Sequence, residues 1–371
     1  MLKTSDMRLF LKDNTSTIAP AGILLLYLAA SALWSIENQG YLGFKYLGYA
    51  TLTLSFVIGI AIIFRHLPRA THWLLILIAL TALVSATYSI SLHYTYTDFK
   101  PLEDDRLYAL GRMHSPTISA YSYSFALIIL IHFYFSCNSW PQRIFWMLLT
   151  IPLSYAIVLA GTRGSALALL LAVITMFLAN PRWSKKKKYT GAFSIVIIFF
   201  IGLMLILQSD YSELITQRSF SFRPEIWGGV LSKFAEADWT RWVFGFGIAA
   251  SEQISIQEHQ FVHQFEHAHS IHLATLYYGG LLGVLLLEWL IITILIRIIR
   301  AKYHPLQTLC LSLAAFSAIV LVLDGNRILE KTNLLWLLFW FPAAMAIGLS
   351  QKFTPGILEE PASSVAQPTP N

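Results

Sequence analysis

Five of the eleven histidines lie between positions 259 and 272, at His259, His263, His267, His269 and His272. A neutral imidazole with a pKa near about 6.5 is the ordinary group for taking a proton from a hydroxyl. Two readings of the cluster compete. His259, His263 and His267 stand four residues apart, so a helix would carry them on one face, with Glu266 nearby, as a candidate metal site. Three such residues span about 12 Å at 1.5 Å per residue, too far for one ion, and the His-Glu-x-x-His pattern of helical zinc sites is missing. The other reading takes His269, with His267 as its substitute, as a general base at the outer mouth of the apolar run that follows. An interfacial imidazole that only solvates a helix start is the plain alternative.

Arginine supplies a complementary chemistry, because its planar fork of donors matches phosphate oxygens and keeps its charge at every relevant pH. Arg163 sits in Gly161-Thr162-Arg163-Gly164-Ser165, between two nearly continuous apolar runs. A charge there is costly unless it has a partner or lines a polar cavity. Arg223 opens Arg223-Pro224-Glu225-Ile226-Trp227, where Pro224 suits a first helical turn, and Arg218 precedes it. The plain alternatives are a snorkelling Arg163 and an Arg223 paired with Glu225 or Glu213. Asp324, in Asp324-Gly325-Asn326-Arg327, either orients an arginine of the site or caps its turn. Arg112 and Arg327 complete the supporting set, and neither cofactor nor metal is expected.

The elements that position these residues are membrane helices. The 371 residues are 56% hydrophobic and only 12% charged, with 24 Phe, 17 Tyr and 11 Trp, and the mean hydropathy is +0.60. Soluble domains carry roughly 25% charged residues. An all-α, polytopic integral membrane protein follows, with about ten and up to twelve transmembrane helices, since a span needs roughly 20 apolar residues. The runs are Ile18–Ser35, Gly43–Phe64, His72–Leu92, Thr117–Ser136, Ile144–Ala160, Ser165–Ala179, Gly191–Gln208, Ile271–Ile296, Leu306–Leu323 and Asn333–Leu349. The pair around Arg163 reads as a tight hairpin or as one interrupted helix. The hairpin is favoured, because only two spans there keep Arg143 and Lys185–Lys188 on one side.

Basic residues in short loops favour the cytoplasm. They fall on alternate loops, at Lys3, Arg8 and Lys12, Arg65 and Arg69, Arg143, Arg182 with Lys185–Lys188, Arg297 with Arg300 and Lys302, and Lys352. Both termini are then cytoplasmic. This placement accounts for the net charge of +6 better than nucleic-acid binding, which would need a soluble basic patch. The basic start and Ala30-Ser31-Ala32 could pass for a cleaved signal, but an uncleaved first helix is the expectation. Cys137 and Cys310 form no obvious disulfide pattern. The expected organisation is an N-terminal membrane region over 1–208, one large outside loop of short helices over 209–270, a C-terminal membrane region over 271–350 and a disordered cytoplasmic tail over 351–371, rich in proline from Thr354.

The order of the polar pieces resembles the O-antigen ligase and polymerase superfamily of bacterial envelope glycosyltransferases, and the ligases most. The residues that carry the likeness are Gly161-Thr162-Arg163-Gly164-Ser165, Arg223-Pro224-Glu225-Ile226-Trp227, Val243-Phe244-Gly245-Phe246-Gly247, His267-Ala268-His269-Ser270-Ile271-His272-Leu273 and Tyr278-Gly279-Gly280-Leu281-Leu282-Gly283. Leu110-Gly111-Arg112 with Ser115-Pro116-Thr117 is similar to a segment that opens a span in the family. Thr162 and Ser270 stand where Ser and Asn are more usual, and the chain has fewer spans than the roughly twelve common in ligases.

The resemblance implies a bacterial inner-membrane enzyme with its active site facing the periplasm. It would move a glycan from undecaprenyl diphosphate to an outer-leaflet acceptor, lipid A–core oligosaccharide, by inverting, metal-independent transfer. Arg163 and Arg223 would hold the diphosphate, and His269 would accept the acceptor's proton. The expected partners are that donor, that acceptor and membrane lipids. An O-antigen polymerase or a protein O-oligosaccharyltransferase shares the donor and differs in acceptor. A transporter, with Arg163 and Asp324 as coupling charges, is a different class, and it would place its charges near helix midpoints in repeated halves.

Overall fold

The computed structural model of the chain describes residues 4–35, 41–95, 106–109, 111–207, 223–251, 254–258, 261–265, 267–301 and 304–349. Each of the ten apolar runs is helical. The first seven helices are α1 (Thr4–Ala30, prolonged by a 3-10 turn to Trp34), α2 (Tyr41–His66), α3 (Pro68–Thr95), α4 (Pro116–Ser136), α5 (Trp140–Ala160), α6 (Arg163–Ala179) and α7 (Lys185–Leu207). After them come α8 (Arg223–Ala235) and α9 (Trp239–Phe244), then strands β1 (Ile254–Glu258) and β2 (Phe261–Phe265). The chain closes with α10 (Ile271–Arg300), α11 (Gln307–Asp324), and a π-helical turn over Trp336–Trp340 that leads into α12 (Phe341–Gly348). Among the described residues, seven helices are long and apolar enough to cross a membrane, and Arg163–Ala179 and Trp336–Gly348 are shorter apolar helices. The protein is a polytopic helical membrane protein.

Helix α4 is the most buried span and the hub of the bundle. Small and hydroxylated residues let its neighbours approach closely, as interfaces inside lipid require. Ser124 and Ser165 hydroxyls meet at 2.7 Å, and Ser165 also donates to the Ala120 carbonyl, which joins α4 to α6. The Tyr123 hydroxyl reaches Ser85 and Ser89 of α3 at 3.1 and 3.4 Å. Helix α5 ends at Gly161, whose left-handed backbone (φ 59°) is the conformation glycine tolerates best. The turn is therefore two helices rather than one interrupted span. They take different partners: α5 packs on α4 and α3, and α6 on α11 and α7.

Two expectations are corrected. The segment between α7 and α10 is not made of helices alone among its described residues. Strands β1 and β2 form an antiparallel hairpin in which His263 pairs with Ile256. His263 lies on a strand, where side chains alternate rather than recur every fourth residue, so the four-residue spacing puts it on no helical face with His267; His259 lies outside the described residues. The apolar run from Ile271 is also not one straight span. Gly280 breaks it with φ 62° and ψ −166°, and the chain folds back so that His272 Nδ1 lies 2.8 Å from Glu288 Oε1. Sixteen residues of continuous helix would hold them ~24 Å apart. The piece that follows, 281–300, is long enough to span the bilayer by itself.

This reversal explains two of the glycine motifs. Phe246 and Gly247 N–H groups donate to the Tyr277 and Tyr278 carbonyls at 2.8 and 3.0 Å. A Cβ on Gly245 would stand 2.5 Å from the Gly280 nitrogen, and one on Gly280 would stand 2.3 Å from the Val243 carbonyl oxygen. The two backbones touch with no room for a side chain between them. The end of α1 clamps the contact from outside, where the Tyr27 hydroxyl donates to Gly279 O at 2.6 Å and Trp34 Nε1 to Phe244 O at 3.2 Å.

The opposite end of the bundle holds Arg65, 3.4 Å from Asp13. Buried Arg297 lies there too, donating to the Ala346, Ile347 and Leu349 carbonyls at the close of α12. Trp183, just after Arg182, packs on Phe135 and Phe177 at the ends of α4 and α6.

Candidate active site

Helix α11 ends at Asp324, and Gly325 lets that end abut the start of α10. A Cβ on Gly325 would stand 2.3 Å from the Ile271 nitrogen, so a bulkier residue would push the two ends apart. His269 lies just before α10 and is the positive-φ residue other than glycine among those described, at φ 48°. Such a backbone is uncommon outside glycine and persists where the surroundings impose it. Here the Trp227 indole donates to the Ala268 carbonyl at 3.1 Å, while His269 Nδ1 is bonded to Asp324 Oδ1 at 2.6 Å. The two side chains are 34% and 17% exposed. A carboxylate only accepts, so the bond puts the proton on Nδ1 and leaves the Nε2 lone pair open.

The arginines reach the same end by separate routes. Arg223 opens α8 with Pro224 in its first turn, and its Nε donates to the Leu323 carbonyl at 2.6 Å, one residue before Asp324. Arg163 is the first residue of α6 and is exposed. The next residue, Gly164, lies against Leu323: a Cβ there would be 3.5 Å from its Cδ1 and 3.2 Å from the Tyr121 hydroxyl. Leu323 and Asp324 thus join the three pieces, with Gly164 beside one side chain, Arg223 on a carbonyl and His269 on a carboxylate.

Sequence reasoning passed over Arg106. Its Nε donates to the Ala160 carbonyl at 2.7 Å and a terminal nitrogen to the Thr162 hydroxyl at 2.9 Å, which braces the turn carrying Arg163. Burial is the main cause that lowers the pKa of Arg106, and the positive charge of Arg163 pushes the same way. An arginine beside Glu103, Asp104 and Asp105 looks like one more charge of a solvated loop, so nothing in its neighbours marks it.

The other candidates divide. The His267 ring stands 6.2 Å from that of His269, edge on. Asp324 orients a histidine instead of the arginine considered for it. Arg327 is engaged elsewhere: it stacks on the Tyr278 ring at 4.6 Å, donates to that residue's hydroxyl at 2.6 Å, and reaches the Ala250 carbonyl at 3.3 Å. Arg112 lies in the 3-10 turn Gly111–Met113 ahead of α4. Arg218, His259, Glu266 and the tail fall outside the described residues.

Comparison with known proteins addresses the same region. Residues 148–287 match the family model described as O-antigen ligase, a segment that contains Arg163, Arg223, His267 and His269 and stops short of Asp324. The chain is 29% identical over 283 residues to an O-antigen ligase of Pseudomonas aeruginosa, an alignment that covers 75% of this chain and 64% of that relative. Ordered motifs, matched segment and relative agree: over this region the chain is similar to O-antigen ligases, and it spans less than two thirds of the length of the relative it matches.

Proposed function

We propose that the protein is a ligase-type membrane glycosyltransferase that moves a glycan from undecaprenyl diphosphate to lipid A–core oligosaccharide on the periplasmic face of the bacterial inner membrane, with both termini in the cytoplasm. The observation that carries this reading is the His269–Asp324 bond at the bundle end that also holds Arg163 and Arg223.

In the proposed step an acceptor hydroxyl attacks the anomeric carbon in line with the departing phosphate oxygen. The new carbon–oxygen bond forms as the bond from the anomeric carbon to the diphosphate breaks, which inverts the configuration. The hydroxyl proton passes to His269 Nε2, and Asp324 stabilises the imidazolium that results. The electron pair leaves on the diphosphate, whose charge Arg163 and Arg223 neutralise with forked hydrogen bonds. Arg106 keeps the Arg163 turn in place. A diphosphate is a good leaving group, so the residues mainly position the reactants and balance charge.

The test is reconstitution of the purified protein with polyprenyl diphosphate-linked glycan, offering lipid A–core, a second lipid-linked glycan or a pilin-like protein as acceptor. Transfer to lipid A–core is expected, abolished in His269→Ala at an unchanged melting temperature and indifferent to EDTA. Modification of the second lipid-linked glycan instead would assign a polymerase, and modification of the protein an O-oligosaccharyltransferase. Wild-type rates in His269→Ala would remove the base from the scheme.

A further inference from the structure

Glu288 is the only charged carboxylate between Ile271 and Ile296, and it lies on a face of α10 shared with exposed Leu285, Trp289 and Ile292. An ionisable residue on the exposed apolar face of a spanning helix is expensive, and by default it points to a functional site. The fold reversal at Gly280 brings His272 to it at 2.8 Å, and the two side chains remain 35% and 41% exposed. His272 follows His269 by three residues, so the pair stands beside the proposed base.

A structural staple does not account for this placement. The reversal is already held by the backbone contacts of Gly245 and Gly280 and by the Tyr27 bond to Gly279. A half-exposed polar contact adds little to such a lock, and apolar side chains of similar volume would serve it as well. What the pair offers is a carboxylate with one oxygen braced by an imidazole and the other able to accept hydrogen bonds from a ligand.

Resting on the transfer reaction above, we propose that Glu288, braced by His272, is the subsite for the hydroxyl-bearing acceptor sugar, which reaches His269 sideways from the outer leaflet. The charge decides which substrate it serves. A carboxylate repels the donor diphosphate, which Arg163 and Arg223 attract, whereas sugar hydroxyls donate to it. The two substrates are thus separated around His269, cationic groups taking the donor and the His272–Glu288 pair taking the acceptor.

Two measurements on the full-length protein in nanodiscs test this, with lipid A–core oligosaccharide as the probe. In two-substrate kinetics, Glu288→Gln raises the acceptor KM tenfold or more and leaves the donor KM within twofold. The swapped pair, His272→Glu with Glu288→His, restores any lost melting temperature but leaves the acceptor KM high, because the carboxylate has moved to the other strand of the reversal. Equal rises in both KM values, or recovery of the acceptor KM together with the melting temperature, would reduce the pair to a staple. In the second measurement, lipid A–core binds the wild type without donor and binds Glu288→Gln at least tenfold more weakly. Binding without transfer would sink the proposed reaction and leave the subsite standing. Equal binding by both proteins, or none by the wild type, would remove the subsite whatever the transfer assay gives.

Discussion

Replacing Asp324 by Asn keeps the shape of the side chain and removes its charge, which isolates what the carboxylate does for His269. The bond is short, 2.6 Å, and partly withdrawn from water, with 34% and 17% exposure for the two side chains. A hydrogen bond to a charged group of this kind contributes ~1.5–3 kcal/mol. Lost as the imidazolium forms, that alone slows the chemical step roughly 10- to 100-fold, at about 1.4 kcal/mol per factor of ten. An asparagine amide can also donate to Nδ1, which moves the ring proton to Nε2 and consumes the lone pair that should accept the hydroxyl proton. The combined loss in kcat is expected at ~10²–10⁴, the range that a positioned base contributes. Asp324→Ala should be the milder variant, because it leaves the tautomer free. Asp324→Asn should lower the melting temperature little, because its amide still bonds Nδ1 and the lost charge relieves ~0.3–1 kcal/mol of opposition from the helix dipole, whereas Asp324→Ala loses the bond and should melt lower. The assay is initial-rate glycan transfer at saturating donor, beside a thermal melt. If Asp324→Asn keeps half of the wild-type kcat or more with an intact melt, Asp324 is only the end of α11.

Arg223→Lys and Arg163→Lys keep the charge and lose the fork, so each should cut kcat over donor KM at least tenfold in the same assay, and wild-type values in both would make them interfacial anchors. Gly280→Ala puts a methyl group 2.3 Å from the Val243 carbonyl oxygen at φ 62°. Because neither backbone can yield, a clear fall in melting temperature is expected, from strain alone ~1–3 kcal/mol, and an unchanged melt would show that the reversal does not need glycine. His304, whose Nδ1 accepts from the Leu306 N–H at 3.2 Å, is held chiefly by burial at a pKa of about 4 against an ordinary 6.5. The unfolded chain therefore binds the proton first, and stability present above pH 6.5 is lost as the pH falls from 6.5 towards 4, by up to about 3 kcal/mol. Denaturation midpoints measured over that window should fall less steeply in His304→Gln, and parallel slopes would refute this.

The helices were legible because a bilayer imposes one requirement on every span, a run of apolar residues long enough to satisfy its own backbone. The ten runs needed no knowledge of packing. Arg163 and His269 stand out for a related reason, since each is a polar residue at the end of an apolar run, and Arg223 is marked instead by the proline that follows it. What escaped depends on contacts between distant parts of the chain. The break at Gly280 leaves no mark in hydropathy, since the residues on both sides are apolar, and only the approach of Gly245 shows why the chain turns there. The strand at His263 was hidden by spacing that also suits a helix. The carboxylate of Asp324 was visible, but its partner lies 55 residues earlier, beyond the reach of any local pattern. Arg106 was lost among neighbouring acids for the same reason, because its acceptors belong to the α5–α6 turn.

The way these helices end bears on why the proposed transfer would run here. Arg163 starts α6, Arg223 starts α8, and His269 stands just ahead of α10, so three positive helix ends converge with the two arginines. A departing diphosphate gains from each of them, as anions do at helix N-termini. The same field opposes the positive charge that His269 takes on when it accepts a proton. Each helix end contributes only ~0.3–1 kcal/mol, whereas the charge-assisted bond to Asp324 contributes ~1.5–3 kcal/mol, and Asp324 itself sits at the negative end of α11. The local pair therefore outweighs the nearest opposing helix end. Without Asp324 the site would keep its attraction for the diphosphate and lose its means of holding the proton, so donor binding and turnover should separate in that variant. A transport path gives no reason for such a division, since coupling charges would be expected near helix midpoints, not as an acid at one helix end facing bases at three others.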